Sequence, residues 1–314
     1  TRLRVLRRQG RVEDAESWTR LALDTADKQN WPTARAHATL DDAQLQHHRG
    51  RVDEAWARLD QARVQAQLLG KRSLLADVLM AIGRLHIDQG QLDEAATTLD
   101  EARRHAVSAG LEQLEAQCWQ LLGRVAKQQG DSTRAMARFT DALGVFERTG
   151  DRWGVASCTN ELGEIARLQG DLDGAEVHYV DALHRMEELG ADNAHIVRMN
   201  LAFVMFTQHR GDAARPLVER ALEAFEATQQ RPMIGISHLL LMACAATEGD
   251  WMGWDLHLGA GRDLIRSTRY VEQDIALIAK MAGDLAAEAG WLDRARGAWI
   301  MARDQWRALD RPDE

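Results

Sequence analysis

Apolar and small residues recur every three to four positions along almost the whole chain, and glycines interrupt this pattern at regular intervals. In residues 152–190 the pattern lies on both sides of Gly170. Such spacing puts apolar side chains on one face of a helix, and each stretch is long enough for about 25 Å of helix. The pattern therefore predicts two helices joined by a tight turn at Gly170.

The glycines indicate that this helix pair is repeated. The first five members of one series are spaced 40 residues apart, and the series comprises Gly10, Gly50, Gly90, Gly130, Gly170, Gly211, Gly249 and Gly290. A second series lies 20 residues out of phase and comprises Gly70, Gly110, Gly150 and Gly190. We expect the first series to supply the positive φ of the turn within each pair, and the second to end the pair. A fixed period of this length is typical of a solenoid.

Smaller signals support the same register. An aspartate directly after the turn glycine is predicted to cap the next helix at Asp131, Asp171, Asp212 and Asp250. A third glycine series falls on the first helix of a pair, at Gly83, Gly123, Gly163 and Gly283. Small residues at matched positions let neighbouring helices approach closely, so the signals agree on stacked helix pairs.

One string of this repeat is shared with a known family. The pattern LGxxAxxQGDxxxAxxxYxxAL is carried here by Leu162, Gly163, Ala166, Gly170, Asp171, Ala175, Tyr179, Ala182 and Leu183, and it resembles the tetratricopeptide repeat. The longer 40-residue form is similar to repeats of kinesin light chains, of bacterial signal-transduction ATPases and of C-terminal regions of multidomain bacterial Ser/Thr protein kinases. The resemblance implies an all-α, right-handed α-α superhelix of about seven and a half helix pairs.

We expect residues 1–314 to form a single solenoid of this kind. The repeats are regular over residues 1–190 and irregular over 191–270, and a C-terminal repeat and cap follow over 271–314. The chain begins at Thr1, already within a helical pattern. We therefore interpret the sequence as a piece of a longer protein.

Composition narrows the range of partners. The formal net charge is −9, which argues against general binding to nucleic acid. No apolar run reaches the ~18 residues of a membrane span, so we expect no membrane partner. The three cysteines form no CxxC pair, which fits a reducing compartment and predicts a cytoplasmic location.

The motifs of common catalytic sites are missing. The chain has no GxxxxGK[ST] loop, no HExxH and no serine-centred elbow. His47 and His48 are neighbours on a predicted helix and face different directions, whereas metal ligands converge. Cys118 and Cys158 occupy the same repeat position and are predicted to be small packing residues. We expect no cofactor, no metal and no enzyme in these residues, although the resemblance leaves room for a kinase or ATPase domain elsewhere in a longer protein.

The resemblance implies that the first helix of each pair lines a concave groove, at positions 13, 10, 6 and 3 residues before the turn glycine. In the pair that turns at Gly50 these include Gln44 and His47, and in the next pair Met80 and Arg84. Polar side chains at these positions are candidate contacts for a carboxylate or a peptide backbone. The candidates are Arg84, Gln120, Arg124, Lys127, Asn160, Glu164 and Arg167. The alternative is that they belong to solvated helix faces.

The same rule gives mostly apolar residues farther along, with candidates Arg198, Leu201, Met205 and Leu239. Residues 234–246 are apolar on nearly every side, which predicts a helix that is buried all round. Burial within the chain and burial by a partner helix are both open at this point.

Two functions fit this picture. The first is a protein-interaction scaffold that binds a peptide or protein segment in its groove, within a larger bacterial signalling protein such as a Ser/Thr kinase. The second is a ligand- or peptide-sensing regulatory domain of a transcriptional regulator or signalling ATPase. Self-association through the terminal repeats is a further possibility.

Overall fold

The helical repeats predicted from the sequence are present in the structure. A computed structural model describes residues 12–191 and 194–310, and within these ranges every regular element is an α-helix. The helices are α1 (Val12–Lys28), α2 (Pro32–His48), α3 (Val52–Leu68), α4 (Arg72–Asp88), α5 (Leu92–Ser108), α6 (Glu112–Gln128), α7 (Ser132–Thr149), α8 (Arg152–Leu168), α9 (Leu172–Glu188), α10 (Ala194–Thr207), α11 (Gly211–Ala227), α12 (Arg231–Glu248), α13 (Trp251–Thr268), α14 (Gln273–Glu288) and α15 (Leu292–Ala308).

These fifteen helices confirm an all-α solenoid of about seven and a half pairs. The first helices of the pairs are the even-numbered ones from α2 to α14, and each is followed by its second helix. None of the helices in the described ranges is long and apolar enough to cross a membrane.

The chain forms two compact units, Thr1–Cys158 and Thr159–Glu314, which we call unit 1 and unit 2. The division falls within α8. The core of unit 1 is built from aliphatic side chains of α2 to α6, such as Leu74 and Leu99. The core of unit 2 is more aromatic and contains Phe206, Phe225 and Trp254.

Both glycine series end helices as predicted. Every described member of the two series except Gly211 has a positive φ, at Gly50, Gly70, Gly90, Gly110, Gly130, Gly150, Gly170, Gly190, Gly249 and Gly290. Gly10 lies outside the described residues. Three of the four predicted aspartate caps are also confirmed, because Asp131, Asp171 and Asp250 each accept a hydrogen bond from the backbone N–H three residues later.

The prediction for Gly211 and Asp212 is wrong. The positive φ of this turn lies at His209, with a value of 61°, and Gly211 is already the first residue of α11. A Cβ at Gly211 would lie 2.2 Å from Oγ1 of Thr247. Glycine here therefore leaves room for the Thr247 side chain of α12, and it does not supply the positive φ of the turn. Because α11 begins early, Arg210 takes the N-cap position and Asp212 lies in the first turn.

The glycines within the first helices are packing sites. A Cβ at Gly123 would lie 2.9 Å from the ring of Phe139, and one at Gly163 would lie 3.0 Å from the ring of Tyr179. Both rings are fully buried. The missing side chain therefore makes room for a large residue of the second helix, which explains why glycine recurs at this position of the repeat.

Candidate functional site

A pocket of about 380 Å³ opens on the first helices of unit 1. It is lined by residues of α2 and α4, namely Gln44, His47, His48, Met80, Ala81, Arg84 and Asp88. Four of these occupy positions that the repeat register assigns to the groove: Gln44, His47, Met80 and Arg84. We refer to the surface formed by α2, α4 and α6 as the first-helix face of unit 1.

The pocket combines an apolar base with polar walls. Met80 and Ala81 are buried, at 6% and 8% exposure, whereas the Arg84 side chain is exposed. Nε2 of His47 lies 2.9 Å from Oδ2 of Asp88, which ties the ends of α2 and α4 together. The exposed guanidinium of Arg84 can donate several hydrogen bonds to one anionic group.

The first-helix face continues onto α6, which packs against α4. Arg124 lies at the same repeat position as Arg84 and is half-buried. No described residue forms a hydrogen bond or an ion pair with Arg124. Lys127 is also half-buried on α6, and Gln120 donates a hydrogen bond of 2.8 Å to Oγ of Ser157. The predicted basic positions of unit 1 therefore lie on the helices that the resemblance assigned to the groove.

The predicted site residues of α8 have partners within unit 2. Arg167 donates to Oε1 of Glu164 at 2.8 Å and to Oδ1 of Asp274 at 3.0 Å, and its side chain is only 10% exposed. Burial lowers the pKa of Arg167, but Asp274 and Glu164 outweigh it, so the pKa of the guanidinium is raised. Asn160 accepts a 3.4 Å hydrogen bond from Asn200. Glu164 and Arg167 are therefore paired with each other, and Arg167 is largely buried, so it is not an exposed basic contact.

The candidates on α10 and α12 are mostly buried. Leu239 is fully buried, so the expectation that it lies exposed in a groove is wrong. Arg198 is 8% exposed and donates to Glu187, and Leu201 is 4% exposed. The fourth candidate, Met205, is half-buried, whereas the other three are buried.

Close packing within unit 2 explains this burial. A Cβ at Gly261 would lie 2.8 Å from Cδ2 of Leu239, which shows how tightly α13 covers α12. Residues 239–246 are buried within the chain, which decides between the two alternatives for the apolar helix in favour of self-burial.

Some residues of the unit 1 pocket and of the ion pairs of Arg167 were not assigned to a site from the sequence. His48, Ala81 and Asp88 line the unit 1 pocket, and the i, i+3, i+4 spacing around the named positions was a usable signal for them. Asp274, by contrast, lies 107 residues from Arg167, and no repeat period links the two.

The described residues contain no group of three or more His, Cys, Asp or Glu side chains placed to hold a metal ion. Cys118 and Cys158 are fully buried, which confirms them as packing residues. Burial raises the pKa of Cys118 and of Cys244 to about 12, so these thiols stay protonated at neutral pH.

Comparison with family models finds two matches. Residues 74–148 and residues 155–189 each match a model described as tetratricopeptide repeat. A comparison with curated protein sequences finds no match.

Solved structures with the same fold include three bacterial or archaeal proteins. The Rap conjugation gene regulator of plasmid pLS20, in complex with the Phr* peptide, has a TM-score of 0.65 at 16% identity, covering 92% of this chain and 78% of its own. The apo quorum sensor NprR from B. thuringiensis has a TM-score of 0.66 at 15% identity, covering 96% and 85%.

The third is the signal-transduction ATPase with numerous domains PH0952 from Pyrococcus horikoshii, which has a tetratricopeptide repeat sensor. Its TM-score is 0.70 at 14% identity, covering 93% of this chain and 45% of its own. At these sequence identities the structural similarity shows a shared fold and nothing further.

Proposed function

We propose that this chain is an array of tetratricopeptide repeats and that the first-helix face of unit 1 binds an extended peptide or protein segment that carries an acidic group. The observation that supports this most directly is the pocket between α2 and α4, which is lined by the exposed Arg84. At the equivalent position of α6, Arg124 has no hydrogen-bond or ion-pair partner among the residues that the structure describes. A guanidinium such as that of Arg124, which no carboxylate of the described residues neutralises, is suited to an anionic partner.

The electrostatic setting makes this site selective. The chain as a whole carries a formal charge of −9, so acidic segments are repelled from most of its surface. The basic side chains Arg84, Arg124 and Lys127 lie together on the first-helix face. A segment with an acidic group therefore gains affinity at this face and loses it elsewhere.

The structural neighbours support a signalling context. A protein of this fold is found in complex with the Phr* peptide, and another carries the repeats as the sensor of a multidomain ATPase. We propose that this array serves as a binding module in a larger bacterial signalling protein, such as a Ser/Thr kinase, in the cytoplasm. In this role it acts by binding and not by catalysis.

A second candidate is a regulatory domain that senses a small ligand or a short peptide. The likeness to the quorum sensor NprR favours it. The two candidates differ in the partner. A scaffold binds a segment of another protein, whereas a sensor binds a diffusible ligand that stabilises the folded domain. Thermal-shift screening against metabolites separates them, because a specific small-molecule ligand raises the apparent melting temperature of a sensor and not of a scaffold.

The test of the main proposal is a fluorescence-anisotropy screen of dye-labelled decapeptides with and without acidic residues. Peptides with acidic residues should bind more tightly, and Arg84→Ala should weaken the best of them about tenfold, the value of one charged hydrogen bond. Arg104→Ala on α5 is the matched control, since it removes an equally exposed arginine from a second helix. Equal effects of the two variants would refute the assignment of the site.

A further inference from the structure

A second pocket, which we call the unit 2 pocket, lies entirely within unit 2 and has a volume of about 270 Å³. It is formed by α13 and α15, the second helices of the last two pairs, together with the loop that joins α13 to α14. Gln305 of α15 holds this loop in place, since its Oε1 accepts a 3.1 Å hydrogen bond from the backbone N–H of Glu272. Its Nε2 donates a 3.4 Å hydrogen bond to the carbonyl oxygen of Tyr270. The walls of the pocket are therefore fixed to each other by hydrogen bonds.

One wall of the unit 2 pocket is basic. It carries three arginines at intervals of four and three residues along α13 and its C-cap, namely Arg262, Arg266 and Arg269. Side chains at this spacing lie on the same side of a helix, so the three guanidinium groups line one wall together. Arg262 forms an ion pair of 3.2 Å with Asp263. Arg266 and Arg269 have no hydrogen-bond or ion-pair partner in the part of the chain that the structure describes.

The rest of the lining is mainly apolar. Ile300 and Met301 of α15 contribute to it, and Ile300 is 39% exposed. The only carboxylate among the described lining residues is that of Asp304, which already forms an ion pair of 2.6 Å with Arg303. The pocket therefore offers two guanidinium groups without a described counter-ion, beside an apolar surface.

Arg269 occupies a position at which the regular repeats have glycine. About two periods earlier the second glycine series has Gly190, and both residues have a positive φ, of 52° at Arg269 and 59° at Gly190. A side chain in this region of the backbone costs conformational energy that glycine avoids. The strained residue places a guanidinium in the wall of the pocket, and strain of this kind is characteristic of functional positions.

Gly297 leaves the pocket open on the side of α15. It lines the pocket from within the helix, where glycine lowers helix stability. A Cβ added here would have no atom from another part of the described chain within 4 Å, whereas the missing side chain of Gly123 makes room for Phe139. Packing among the described residues therefore does not require glycine at Gly297, and the free volume is available to a ligand.

We propose that the unit 2 pocket binds a small phosphate monoester with an apolar body, independently of the first-helix face. A phosphate dianion matches the guanidinium groups of Arg266 and Arg269 in charge and accepts hydrogen bonds from both. The apolar body packs against Ile300 and Met301, so neither half of the ligand alone uses the whole pocket. The pocket is smaller than the ~300–1,000 Å³ typical of sites for drug-sized ligands, which suits a compact ligand with one ring.

Isothermal titration calorimetry with phenyl phosphate tests this proposal. At about pH 7.5 the probe is mainly a dianion, since the second pKa of a phosphate monoester is about 6. It should bind at least about tenfold more tightly than inorganic phosphate, which lacks the ring, and than benzyl alcohol, which lacks the charge. Similar affinities for phenyl phosphate and either of these two compounds, or no saturable binding of phenyl phosphate, would overturn the proposal.

Gly297→Leu should fill the pocket and weaken the binding of phenyl phosphate at least about tenfold, because the ring loses its place against α15. The melting temperature should stay the same or rise, since leucine favours a helix more than glycine does. The control Gly259→Leu places the same side chain in equally open space on α13, outside the lining of the pocket, and should leave the affinity unchanged. Equal affinities of Gly297→Leu and the wild type would contradict the site.

Arg269→Gly provides an independent readout, which still decides the matter if Gly297→Leu does not fold. Relief of the positive φ should raise the melting temperature of unit 2 by about 1–3 °C. Loss of one guanidinium should weaken the binding of phenyl phosphate about tenfold. The control Gln229→Gly changes the same repeat position, with a φ of 56°, and should raise the melting temperature without altering the affinity.

Arg84→Ala separates this site from the first-helix face. It should leave the binding of phenyl phosphate unchanged, whether or not Arg84 binds an acidic peptide. Unchanged binding by Arg269→Gly, or equal losses of affinity in Arg269→Gly and Arg84→Ala, would refute a separate phosphate site in unit 2.

Discussion

Leu239→Asp is expected to unfold unit 2. Leu239 is fully buried in α12 and packs against the helix backbone at Gly261, so a carboxylate at this position would have neither water nor a counter-ion. The cost of such a group exceeds about 4 kcal/mol, which is a large share of the stability of a domain. In a unit of this size we expect the melting temperature measured by circular dichroism to fall by more than about 10 °C.

Leu256→Asp is the matched control for this prediction. Leu256 lies on the neighbouring helix α13 and is 70% exposed, so the same substitution should change the free energy of unfolding by no more than about 0.5 kcal/mol. Similar melting temperatures for Leu239→Asp and the wild type would show that α12 is not packed as described.

The double variant Arg84→Glu/Arg124→Glu, which reverses the charge at both positions, is expected to have the largest effect on binding. It replaces two donors of the first-helix face with two acceptors that repel an acidic segment. Loss of two charged hydrogen bonds at ~1.5 kcal/mol each corresponds to at least about 100-fold weaker binding of the best acidic decapeptide. Fluorescence anisotropy at low salt measures this directly, and high salt should reduce the difference.

The control for net charge is the double variant Arg63→Glu/Arg104→Glu, with one substitution on α3 and one on α5. Both arginines are exposed, and the total charge changes by the same amount. This control should weaken binding by no more than about threefold, since only the long-range field changes. A comparable loss in the two double variants would mean that overall charge, and not the first-helix face, governs binding.

The repeat period predicted most of the fold because each helix pair is a local structure. A turn glycine such as Gly170 is fixed by its own backbone φ, and a cap such as Asp171 by the backbone three residues later. These requirements involve only residues that are close together in the sequence. Gly211 was misjudged because glycine can serve a turn or a close contact, and only the position of Thr247 decides between them.

The candidate site was predictable in unit 1 and not in unit 2, for a physical reason. Arg84 lies at a regular repeat position, so the register alone assigns it to the first-helix face. Arg167 has the same kind of position, but Asp274, three pairs later, neutralises it. The irregular pairs between them determine which side chains meet, and their packing depends on contacts such as Leu239 with Gly261 that no period encodes.

Hydrogen exchange measured by mass spectrometry on the full chain, with and without the tightest acidic decapeptide from the screen, tests the central claim most directly. The account predicts slower exchange in peptic fragments of α2, α4 and α6, with little change in those of α3 and α5. Protection confined to α3 and α5, or spread evenly over unit 1, would contradict a binding surface built from the first helices.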